Sequence, residues 1–143
     1  MTDTLLKLRA EDAEDMQVIS AVLQDSIVPV CDMAFQAESG SFVAVAQRLR
    51  RETGEEVGAE RICCALTIKG VTEAHTHGID RHEKERMLDL LAVILESPAS
   101  LSLIFADDAR IRLSLAGWAV AIEDFGLPWP ALCRPCHEDA ISR

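Results

Sequence analysis

An α+β fold, in which mainly antiparallel sheet is covered by two helices, follows from three features of this sequence. Short runs of alternating apolar and polar residues recur along the chain, as strands do. Two segments, one after Glu11 and one after Asp80, instead carry apolar residues at three- and four-residue spacing behind acidic starts, as amphipathic helices do. The succession of strand, helix and three strands also occurs twice, over 5–68 and again over 71–125. With 143 residues, 49% of them hydrophobic and 27% charged, the chain is expected to form one α+β domain spanning 1–143, made of two similar β-α-β-β-β halves and an irregular tail, 126–143.

The first half opens on a short apolar strand from Leu5 to Leu8. Glu11, Asp12, Glu14 and Asp15 then place carboxylates where a helix exposes unpaired N–H groups and the positive end of its dipole. Met16, Ile19, Val22, Leu23 and Ile27 form one apolar stripe, and Pro29 ends the helix. Cys31, Met33 and Phe35 alternate with polar or small residues, Ser39-Gly40 turns the chain, and Phe42 to Leu49 makes the next strand. The polar segment from Arg50 to Glu60 reads as an exposed hairpin loop, with Arg48, Arg50 and Arg51 paired to its glutamates in solvent. Ile62, Cys64, Leu66 and Ile68 then share one face of a third strand.

The second half repeats these signals. Lys69-Gly70 turns into a strand from Val71 to His77, and Asp80 with Glu83 forms a capping pair for a helix whose stripe is Met87, Leu88, Leu91, Ile94 and Leu95, stopped by Pro98. Strands follow at Leu101 to Phe105, Ile111 to Leu115 and Trp118 to Ile122, the first two joined by Asp107-Asp108 and the last two by Ala116-Gly117. After Gly126, Pro128, Trp129, Pro130 and Pro135 predict irregular chain packed across the surface and anchored by Trp129.

A net charge of −10 excludes nucleic acid as an expected partner, because phosphate backbones would be repelled. No run of 18 apolar residues and no basic, apolar leader occurs, so the expected location is the cytoplasm, away from membrane. Five cysteines, two of them adjacent at Cys63 and Cys64, fit reduced thiols better than a disulfide framework.

Cys133-x-x-Cys136-His137 matches the attachment pattern of c-type haem, but it lies at the end of a chain without an export leader. As a zinc site it lacks a fourth ligand. No cofactor is therefore expected. His75, His77 and His82 are the residues a metal would use if one were held, since the first two share a strand face. No glycine-rich phosphate loop, G-x-S-x-G elbow or H-E-x-x-H motif occurs. Gln24, Asp25 and Asp32 bracket the exit of the first helix, where polar groups beside an apolar stripe suit the lining of a pocket.

Several motifs in collinear order carry a resemblance. They are Leu8-Arg9-Ala10 with Asp12 and Asp15, Ser20-Ala21 with Leu23-Gln24-Asp25, Asp32-Met33, Gly78-Ile79-Asp80-Arg81 and Leu90-Leu91. Closing the chain are Glu123-Asp124, Gly126, Pro128-Trp129 and Arg134-Pro135-x-His137. On these residues nearly the whole chain resembles the bacterial domain of unknown function 2948 family, whose D-x-G-x-P-W and R-P-x-H signatures they match. The resemblance implies a small soluble bacterial protein and no particular reaction. It also implies that Cys133 and Cys136 are incidental and that Arg134 and His137 are the better functional candidates. Gln47-Arg48-Leu49 departs from the asparagine-arginine-aromatic sequence the family implies there.

The reading favoured by the sequence is a non-catalytic protein acting by protein or small-ligand contact, because no catalytic set is assembled. Two alternatives stay open. One is an enzyme or small-molecule sensor with a polar pocket around Gln24, Asp25, Asp32, Arg48, Arg134 and His137; the other is a metal-binding protein using the histidines or the tail thiols.

Overall fold

The computed structural model describes residues 5–50 and 59–131. Among them are a single α-helix and eight strands: β1 (Lys7–Ala10), α1 (Ala13–Leu23), β2 (Ser26–Pro29), a 3-10 turn at Val30–Asp32, β3 (Met33–Gln36), β4 (Ser41–Leu49), β5 (Glu60–His77), β6 (Met87–Ser97), β7 (Ser100–Phe105) and β8 (Ala109–Pro130). All pairings are antiparallel. The order β8-β5-β4-β2-β6-β7 closes on itself because β7 also pairs β8, which gives a six-stranded barrel with β1 added to β8 and β3 added to β4 outside the ring. The expected α+β fold with two covering helices is therefore corrected to a mostly β closed barrel with one helix.

The ring closes because β5 and β8 are long and bend. β5 runs through Gly70 and β8 through Gly117, where register shifts between Lys69, Val71 and Glu73 mark bulges. Gly70 has φ +83, and a Cβ there would lie 2.7 Å from the carbonyl oxygen of Gly117, so only glycine lets the two strands approach at the bend. The expected turns at Lys69-Gly70 and Ala116-Gly117 are thus bulges inside continuous strands.

α1 begins as its sequence requires. Asp12 is the N-cap, its Oδ1 accepting the N–H of Asp15 at 2.8 Å, and Met16, Ile19 and Leu23 are buried. It ends earlier than expected, at Gln24, because Asp25 turns left-handed (φ 69) and the chain enters β2. The Asp25 N–H donates to Leu90 O at 2.8 Å. Beyond the end of β2, α1 packs along β6, and Ser20 Oγ accepts the Val93 N–H at 2.9 Å.

The second expected helix is strand β6. Its sequence, MLDLLAVILES, is apolar at so many positions that helical spacing can be read into it. A register shift between Leu90 and Ala92 moves the buried face from Leu88 and Leu90 to Val93, which hides the two-residue period. Asp80 and Glu83 instead build turns: Asp80 Oδ1 accepts the His82 N–H at 2.9 Å, and the Glu83 N–H donates to Asp80 O. With that helix gone, the two halves no longer share an element order.

The first residues after Gly126 are also strand rather than irregular, while 132–143 of the expected tail lie outside the described residues. β8 continues to Pro130, with Trp129 opposite Arg61. Asp124 directs its N–H to Leu6 O and Ala131 to Ala59 O, so even-numbered residues there face away from β5 and Pro128 and Pro130 sit where β5 needs no donor. Trp129 is half-buried in this strand.

The interior is built from alternate residues of every ring strand, among them Phe42, Leu66, Ile68, Leu88, Leu103, Ile111 and Ile122, with Met16, Ile19 and Leu23 of α1 joining the same cluster. Among the described residues only a small set of polar side chains is buried with them, and two of these, Arg48 and Asp124, form an ion pair.

Candidate functional site

Arg48 occupies an inward position of β4, and Asp124 an inward position of β8, two strands away across β5. They form a two-point ion pair: Nε donates to Oδ1 at 2.8 Å and Nη2 to Oδ2 at 2.6 Å, with Arg48 1% and Asp124 2% exposed. Arg48 Nη1 also donates to Leu49 O at 3.1 Å, and the Leu6 N–H donates to Asp124 Oδ2 at 3.0 Å. The expected solvated arginine cluster is corrected here, since Arg50 too is buried and paired with Glu60 at 2.7 Å. Arg51 lies outside the described residues.

Burial raises the Asp124 carboxyl, but the Arg48 and Leu6 hydrogen bonds, the Arg48 charge and the nearby Cys64 thiol outweigh it and hold it below its ordinary value. The same surroundings act oppositely on Cys64, whose thiol is pushed up to about 12 by burial and by Asp124. The carboxylate thus stays charged beside a thiol that stays protonated.

Of the other residues singled out, Gln24 is the C-cap of α1, its N–H donating to Ala21 O at 3.4 Å. Asp25 lies at the seam between β2 and β4, where the ladder is confined to Ile27 opposite Gln47. Arg61, which the sequence did not single out, bridges that seam: its Nη1 donates to Asp25 O at 3.1 Å and to Gln47 O at 2.8 Å. Asp32 is exposed and accepts from Cys31 Sγ at 3.7 Å. Arg134 and His137, with Cys133 and Cys136, lie outside the described residues.

The three histidines do not converge on one point. His75 pairs with Glu73, His77 with Asp108 and His82 with Asp80, each at 3.2 Å and in solvent. Among the described residues no group of three His, Cys, Asp or Glu side chains is placed to hold a metal ion.

A larger concavity than any around these residues lies at the end of the barrel where β5 finishes, β6 begins and the connector 78–86 crosses between them. It is a groove of about 630 Å³. Val30, Met33, Phe35, Ala74, Ile79 and the buried Ile111 make an apolar floor, and His75, Arg81 and Lys84 stand at the rim. Consecutive residues Met33, Ala34 and Phe35 all line it, so it runs along the edge of β3 that β4 leaves unpaired. The connector is fixed by Arg86, whose Nη1 donates to Gly78 O at 2.8 Å, and by the N–H groups of Val30 and Cys31, which donate to Arg86 O and Lys84 O. This groove was hidden in the sequence because the connector was expected to start a helix. The alternation of Met33 and Phe35 and the Gly78-Ile79-Asp80-Arg81 motif were its visible traces.

No curated protein and no solved structure matches the chain. One family does: the proteins of unknown function designated DUF2948 match residues 6–137, a span that includes Arg48, Asp124 and the whole lining of the groove. The chain belongs to the DUF2948 family of proteins of unknown function.

Proposed function

We propose that this protein is a non-catalytic binding protein whose ligand site is the open end of the barrel. The observation that carries this reading is the groove itself: its volume of about 630 Å³ falls inside the range of ~300–1,000 Å³ common for small-molecule sites, and mouths of barrels are favoured places for them. An apolar floor ringed by a few polar side chains suits a small, largely apolar molecule. The charged residues in the barrel interior speak for the same reading, since Arg48 and Asp124 are spent on each other.

The test is binding of the neutral fluorescent probe N-phenyl-1-naphthylamine. Saturable fluorescence enhancement is expected, and it should fall at least about tenfold in affinity in Ala34→Trp, which fills the groove from an exposed strand position. Absence of saturable binding, or binding unchanged in a folded Ala34→Trp protein, would contradict the proposal.

A further inference from the structure

The charges around the groove identify its ligand more closely. The chain carries a net charge of −10, yet every charged side chain lining this groove is a cation or a histidine. Three neighbouring acids are engaged elsewhere: Asp80 with His82, Glu83 with Arg86 at 3.8 Å, and Glu73 with His75 at 3.2 Å. Arg81 and Lys84 have no ion-pair partner among the described residues. Two cations beside an apolar floor, in a protein of net charge −10, give this groove a local charge opposite in sign to the chain's total.

We infer that the groove takes an unbranched apolar carboxylate of the fatty-acid class, its chain on Met33, Phe35 and Ile79 and its head held by Arg81 and Lys84. The inference rests on reading the open end as the ligand site. A planar guanidinium donates to a carboxylate at two points, and a lysine supplies a mobile second charge. No glycine-rich run occurs in the connector to supply the backbone N–H cradle that phosphates use.

The experiment is displacement of N-phenyl-1-naphthylamine from the full chain by decanoate, 1-decanol, decyl phosphate and decyltrimethylammonium, each below its micelle concentration. It is repeated on the Arg81→Glu/Lys84→Glu double variant, whose changes are confined to exposed side chains. Decanoate should displace the probe at least about tenfold better than decyltrimethylammonium, and better than the alcohol or the phosphate. In the double variant that order should be lost while the probe itself still binds. Equal displacement by all four, a better result for decyl phosphate, or an order unchanged in the double variant would overturn the head-group assignment and leave the ligand site standing. Failure of the probe to bind the unaltered protein would remove the site and this inference together.

Discussion

Arg48 and Asp124 stand 76 residues apart in sequence and meet as a buried two-point ion pair inside the barrel. The pair joins β4 to β8 past the intervening β5, and through Leu6 it also holds the chain entering β1. Asp124 falls in a segment on which the family resemblance rests, whereas Arg48 stands in the Gln47-Arg48-Leu49 segment that departs from it; together the two form a brace across the barrel.

Removing one partner leaves a buried charge. Arg48→Met or Asp124→Leu should each cost about 3–5 kcal/mol, whereas the double variant, which removes both charges, should recover most of that loss. Urea denaturation of the four proteins measures it; equal losses in single and double variants would show that the pair is not the cause.

Acid should loosen the same brace. Because Asp124 titrates below its ordinary value when folded, the stability it contributes is fully present above the unfolded value of about 4 and is lost as pH falls through the lowered folded value. Comparing urea midpoints at pH 7 and pH 3, the unaltered protein should lose more than Arg48→Met/Asp124→Leu does.

The two bend glycines should differ. Gly70→Ala meets backbone carbonyls at 2.7 and 2.8 Å in addition to its positive φ, and should cost well over 2 kcal/mol, beyond the ~1–3 kcal/mol of conformational strain alone. Gly117→Ala has the same sign of φ and nothing within 4 Å of the new methyl, so about 1 kcal/mol is expected. Thermal melts of both variants provide the comparison.

Cysteine chemistry should follow burial. Cys64, with a thiol pushed up to about 12 and no exposure, should resist iodoacetamide at pH 8.5 for as long as the protein stays folded. Cys31 is exposed but also raised, by partial burial and by Asp32, and should react more slowly than a free thiol. Mass-spectrometric mapping of labelled peptides distinguishes the two.

What the sequence allowed to be read was what short segments decide for themselves. The cap at Asp12, the stripe of Met16, Ile19 and Leu23, the alternation from Phe42 to Leu49 and the turn at Asp107-Asp108 all depend on neighbours within a few residues. What escaped was decided across the chain. β6 is a strand because β2 and β7 pair it on either side, a fact that its leucine-rich sequence does not carry. Pro128 and Pro130 are compatible with strand only because their missing donors face away from β5. Arg48 was visible as a candidate, but its partner and its burial were not, and the groove exists only once the barrel's end brings β3, β5 and the connector 78–86 together.

Amide chemical-shift mapping of the ¹⁵N-labelled protein titrated with decanoate compares the two candidate regions in one spectrum. Shifts are expected to saturate together and to centre on Met33, Ala34, Phe35, Ala74, Ile79 and Lys84. Shifts centred instead on Gln24, Asp25, Gln47 and Arg48, with the open end of the barrel unmoved, would contradict that expectation.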